Sequence, residues 1–235
     1  MSEVRHSFNA APAPTPDAPE PPAEDPSWSL DQLRERLDTV DAELHRLIAE
    51  RLAIVDHIAA AKGPGGVVIR PDREATVIAK RLAAAPAVPA DILAGFWRRL
   101  ISSACMAQRP YRVHVTPGTA EAGRILHSAA PAVLHRSAAD ALAALAATPH
   151  DVALVAEAEI PSGPLGEAHA FLAAETVSGR IVAFGGTQVE RAEGPAALVA
   201  DPTGARVTEA PADGDTVLAR IHLFPVPLSV SVPAS

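Results

Sequence analysis

Aromatic residues make up only 3% of this 235-residue chain, so a folded core has to be built from aliphatic side chains. Cys105 is the single cysteine; no intrachain disulfide can form, and a reducing compartment fits. Basic residues are outnumbered, 20 Lys and Arg against 28 Asp and Glu, for a net charge of −8. That balance argues against a nucleic-acid binder, which needs clustered cations on one face. It does not exclude an anionic small molecule, because a few arginines can set a local field. No apolar run is long enough to span a bilayer. The first 27 residues lack the apolar centre of a secretory signal, and a cytoplasmic location is the expectation. The histidines show no metal-ligand spacing, and the glycine runs at 63–66 and 185–186 match no phosphate-binding fingerprint.

What the chain does have is alanine, within an apolar content of 48%, which leans towards helix. Residues 1–27, rich in proline, alanine and acidic groups, cannot bury enough surface to offset chain entropy and read as a disordered tail. A long helix is then predicted from Ser29, a capping residue with Gln32 three positions on. Its apolar positions are Leu30, Leu33, Leu37, Val40, Leu44, Leu47, Ile54, Ile58 and Ala61, a seam spaced by threes and fours. Gly63-Pro64-Gly65-Gly66 stops it. At about 50 Å such a helix suits pairing with a partner. A second helix is predicted from Pro71 to before Pro86. A third runs from near Pro89 to Gln108, with Ile92, Leu93, Phe96, Trp97, Leu100 and Ala104 as its stripe. From Tyr111 the pattern changes: YRVHV, DVALVAEAE, IVAFGG, PAALVA and TVLARIHLF read as strands and SAADALAALAATP as a helix. The final PVPLSVSVPAS reads as a loose end. The expected architecture is an all-α three-helix domain over 28–109 followed by a small α/β domain over 110–235.

Charges interrupt the apolar seam. Arg51 falls on the heptad line through Leu30, Leu37 and Leu44, while Arg34 and Lys62 lie one step off it. A buried guanidinium without an anion is costly, so an anionic group should meet these cations. Arg51 and Lys62 are 11 residues apart, about 16 Å along the axis and nearly on one face, so both side chains can converge on a small dianion. Arg34 lies 17 residues before Arg51, about 25 Å away, and can reach such a site only from the second subunit of an antiparallel pair, which would generate two equivalent shared sites. Arg73 and Glu74 open the second helix beside the glycine loop, and Gln108 continues the stripe of the third. Taken alone, each of these residues has a bland reading: a cation snorkelling past a seam, a satisfied core amide, an inert buried thiol at Cys105. The ordered set points to a site.

The segments LDQLRERLDTVDAELHRLIAERLAIVDHIAAAK, IRPDREATVI and FWRRLISSACMAQ resemble the all-helical, type II chorismate mutases over residues 28–109. The resemblance implies an intertwined homodimer with shared sites, isomerisation of chorismate to prephenate in aromatic amino-acid biosynthesis (the shikimate route to phenylalanine and tyrosine), and no cofactor or metal. It implies that Arg51 and the partner's Arg34 clamp the substrate carboxylates. Lys62 and Gln108 would donate to the ether oxygen, Glu74 would accept from the ring hydroxyl, and Arg73 would support the carboxylate or Glu74. Two positions depart from the family pattern. Ala104 stands where serine is usual, which removes one carboxylate hydrogen bond, and Arg70 stands where aspartate is common, which adds positive charge.

Two other functions fit the same residues. One is a lyase on this scaffold that splits isochorismate to salicylate and pyruvate. The other is a non-catalytic module that binds a partner enzyme or senses an amino acid, as Ala104 and Arg70 would allow. The C-terminal part is weakly similar to the start of a prephenate dehydratase lobe. A full dehydratase needs two such lobes and a Thr-Arg-Phe signature, which the sequence lacks, so a regulatory, degenerate or structural lobe is expected.

Overall fold

The computed structural model describes residues 28–63, 65–161, 165–201 and 204–228. The expected N-terminal tail lies outside them. Helix α1 spans Leu30–Lys62, α2 Pro71–Ala84 and α3 Ala90–Gln108. The start of α1 is fixed by a reciprocal cap: the Gln32 backbone N–H donates to Ser29 Oγ at 3.3 Å and the Ser29 N–H to Gln32 Oε1 at 2.8 Å. Pro71 opens α2, where its missing N–H costs nothing. No helix among the described residues is long and apolar enough to cross a membrane.

Beyond Arg109 the chain builds an eight-stranded mixed sheet. Its strands are β1 (Val113–Val115), β2 (Ala132–Leu134), β3 (Val152–Ala156), β4 (His169–Thr176), β5 (Gly179–Gly185), β6 (Ala196–Asp201), β7 (Gly204–Thr208) and β8 (Thr216–Leu223). The order across the sheet is β2-β1-β3-β5-β4-β8-β6-β7. Pairs β1–β2, β1–β3 and β4–β8 are parallel and the others antiparallel. Helices α4 (Ala120–Leu126) and α5 (Ala138–Ala147) complete the domain. The expected α/β character is therefore present, with α4, β2, β4 and β7 added to the elements read from sequence.

Alternation along the strands sorts the core into two layers. Val113, Val115, Val152, Leu154, Phe171, Ile181 and Ala183 face one side, where they join Ile69, Ile78, Ala94, Ile101 and Cys105 of the helical region in a single cluster. Ala153, Val155, Ala170, Val182, Phe184, Leu198 and Ile221 face the other, packed with Ala141, Leu142 and Leu145 of α5. The sheet thus lies between the N-terminal helices and α5.

Helix α3 presents its expected face only in part: Ala104 is buried and Leu93, Trp97 and Leu100 are half-buried. Its buried residues are Ala94, Arg98, Ile101, Ser102, Ala104 and Cys105, whereas Ile92 and Phe96 of the expected stripe are exposed. Helices α1, α2 and α4 pack on α3 and select a face that periodicity alone did not. The C-terminal segment also differs from a loose end as far as Leu228. That residue is buried, and its N–H donates to Glu175 O at 2.8 Å. Ser229 onward lies outside the described residues. On α1 the outcome is the reverse of burial: Leu30, Leu33, Leu37, Val40, Leu44, Leu47, Ile54 and Ile58 are 43–62% exposed, and Val55 is the only buried residue of the helix.

Candidate active site

Where α1 ends, the chain has to double back onto its last turn. Gly63 takes φ +69°, a left-handed conformation that favours glycine. Gly66 approaches so closely that a Cβ there would lie 2.5 Å from Lys62 Cβ. The returning loop places Val67 O 2.8 Å from Lys62 Nζ. From the other side Gln108, in the last turn of α3, presents Oε1 to the same ammonium at 3.2 Å. The Gln108 amide is held in turn by its Nε2, which donates to Ala104 O at 3.1 Å.

Lys62 and Gln108 line a cleft of about 230 Å³ together with Arg51, Val55, Val68, Arg73 and Glu74. The structure therefore brings together five of the six residues singled out from sequence: Arg51, Lys62, Arg73, Glu74 and Gln108. It does not bring Arg34 there. Arg34 sits in the first turns of α1, paired with Asp31 at 3.2 Å, about 25 Å along the axis from Arg51. The two departures from the family pattern also face the cleft. Ala104 offers only a methyl group. Arg70 is paired through Nε with Glu190 of the sheet domain at 2.6 Å, so much of its added charge is balanced.

Arg51 is the cation of the cleft held most deeply without a counter-charge among the described residues. Its Nη1 is buried and has no hydrogen-bond partner among the described residues, and burial lowers its pKa. The guanidinium lies 5.8 Å from the centre of the Trp97 ring, a contact that favours a cation without satisfying its N–H groups. Arg73 is exposed at the rim and pairs with no carboxylate among the described residues. With Arg70 and Glu74 both paired, the charge of the cleft that meets no counter-charge among the described residues is that of Arg51, Lys62 and Arg73.

Glu74 sits deeper than its place beside the glycine loop suggested. It is buried, and its Oε2 is ion-paired with Arg98 Nη1. Its Oε1 is the freer oxygen, approached by the Arg70 N–H at 3.4 Å and the Cys105 thiol at 3.8 Å. Arg98 was missed in the sequence. It stands on the line Ala94, Arg98, Ile101, Cys105, so a cation on a buried face was the available signal. Its Nε donates to Leu126 O at 2.6 Å, and its Nη2 approaches the His127 ring at 3.4 Å. His127 Nδ1 meets Tyr111 Oη at 3.0 Å, and that hydroxyl meets Ser102 Oγ at 3.3 Å. One buried polar network thus runs from the cleft wall into the sheet domain. Burial raises the Cys105 thiol's pKa well above the usual range, consistent with an inert packing role.

Residues 33–109 match the family model for chorismate mutase type II. That third of the chain carries the family's sequence pattern. No curated protein and no solved structure matches the chain. The match stops at the end of α3, so nothing in these comparisons supports the likeness of the C-terminal part to a dehydratase lobe.

Removing Arg98 would leave Glu74 buried and uncompensated. Arg98→Ala is expected to lower the free energy of unfolding by about 3–5 kcal/mol, measured by urea denaturation. A loss below about 1 kcal/mol, the range of an exposed pair, would show that the pair does not hold α2 to α3. Burial and the neighbouring Arg98 keep the pKa of His127 well below that of a free histidine. The unfolded chain then binds the proton more readily, so stability is retained above about pH 6.5 and falls as pH drops below it. His127→Asn should flatten this slope in part, since burial also lowers His114 and His169. An unchanged slope would remove His127 from the account.

Proposed function

We propose that the protein is a chorismate mutase that converts chorismate to prephenate at a site completed by a second copy of the chain. The observation that carries this reading is the buried Arg51 Nη1, unpartnered among the described residues, in a cleft whose three cations meet no counter-charge among them, within the segment that matches the family.

The chemistry asks for little else. The rearrangement is a unimolecular pericyclic step, for which a protein can hold the diaxial conformer and stabilise negative charge on the breaking ether oxygen. Arg51, with Arg73 at the rim, would receive the carboxylates. An ammonium has three protons. Lys62 gives one to Val67 O and one to Gln108 Oε1, which leaves the third for the ether oxygen. Gln108 Nε2 likewise has a second proton beyond the one given to Ala104 O. Glu74 Oε1 would accept from the ring hydroxyl while Oε2 stays with Arg98.

The second copy is argued from α1. Eight apolar side chains follow one line of this helix and are 43–62% exposed, and a contiguous exposed apolar stripe marks an interaction surface. An antiparallel partner would cover the line and deliver its own Arg34 to the Arg51 cleft, giving two shared sites by symmetry.

The direct test is chorismate consumption by the purified chain, with the product identified chromatographically. Prephenate supports the proposal, salicylate and pyruvate from isochorismate would replace it with the lyase, and a folded protein with no turnover would replace it with a binding role. Lys62→Ala is expected to reduce kcat by a factor of about 10²–10³ with the oligomeric state unchanged; retained activity would refute the assignment of Lys62. Arg34→Ala and Arg51→Ala chains, each inactive alone, should recover part of the activity when mixed, because half of the sites in a heterodimer are intact. No recovery in isolated heterodimers would refute the shared site.

A further inference from the structure

We infer that the protein has a second small-molecule site, between α2 and the sheet, for an uncharged apolar ligand about the size of one or two fused rings. The cavity there measures about 440 Å³, larger than the cleft and within the range of ligand pockets in general. Its walls are Ile78 and Leu82 of α2 facing Phe171, Leu223 and Phe224 of the sheet domain.

The space is a result of side-chain choice. Ala75 and Ala79 are one turn apart and both line the cavity, where any larger aliphatic residue would occupy part of the gap. Pro195 and Pro225 stiffen the opposite rim, so the cavity is held open by residues with little freedom to collapse into it.

Charge sets the ligand class. Three titratable side chains reach the cavity, and each is engaged with a neighbour. Glu74 and Arg98 neutralise each other, and His222 Nε2 meets Asp72 Oδ1 at 2.8 Å. An ionised ligand would give up its hydration without finding a free counter-charge, whereas an apolar one gives up only unfavourable contact with water. Glu74 is common to this cavity and to the cleft. An occupant therefore rests against the back of the carboxylate whose front faces the candidate active site.

The test needs no turnover, so it stands apart from the mutase reading. The full chain is titrated with 1-fluoronaphthalene and followed by ¹⁹F NMR. Saturable binding of one molecule per chain is expected. Ala79→Phe, which fills the cavity, should weaken it by roughly tenfold or more, about 1.4 kcal/mol, while Arg51→Ala in the cleft should leave it unchanged. Should Ala79→Phe fail to fold by circular dichroism, Ala75→Leu fills the same space from the preceding turn. Absence of saturable binding, or binding that survives a folded filling variant, would overturn the site. Equal affinity for 4-fluoro-1-naphthoate would overturn the assignment of an uncharged ligand.

Discussion

The ion pair between Glu74 and Arg98 is the constraint around which the rest of the molecule is arranged. Two opposite charges buried in an aliphatic core tolerate only a narrow geometry, because each is costly without the other. Glu74 fixes α2 and Arg98 fixes α3. The further hydrogen bonds of Arg98 to Leu126 O and towards His127 fix both helices against the sheet domain. The cleft at the end of α1 lies on one side of this pair and the apolar cavity on the other. The position of the Glu74 carboxylate is thus set by groups from three parts of the chain.

Local signals were legible in the sequence, and distant ones were not. The limits of α1 followed from Ser29, Gln32 and the glycine run, all within a turn of the ends they define. Arg51, Lys62 and Gln108 could be singled out because each interrupts or borders an apolar stripe, and Arg73 and Glu74 because they open a helix beside the glycine loop; all of these are local signals. Arg98 breaks its pattern too, but its partners are Glu74, 24 residues away, and a backbone carbonyl 28 residues away, so nothing nearby identified it as part of the site. The face of α3 differs in part for a related reason. Ile92 and Phe96 are strongly hydrophobic, yet Ala94 and Ile101 are the buried pair, because the elements that pack on α3, namely α1, α2 and α4, are placed by the fold as a whole.

Among the strands, those carrying valine, isoleucine and leucine in alternation were readable. The alanines of β4 lack the β-branched signature, and β7 opens on glycine and alanine and carries a single valine. Burial of β4 comes from its place in the sheet, paired with β5 and β8, which is a property of topology. Asp151 and Arg112 belong with this class. Their 3.1 Å bond ties the residue before β1 to the residue before β3, and no local pattern announces it.

The helical segment that matches the family and the sheet that follows it share one apolar layer, in which Ile69, Ile78 and Ile101 touch the same cluster as Leu126, Leu154 and Phe171. Mutational sensitivity should therefore extend well beyond the cleft. A change of volume at Leu154 or Phe171 shifts the platform on which α2 and α3 rest, and with it the alignment of Glu74 and Gln108. Residues of the sheet that meet no substrate would then be constrained by the geometry of the site, and drift in one half of the chain would have to be matched by compensating change in the other.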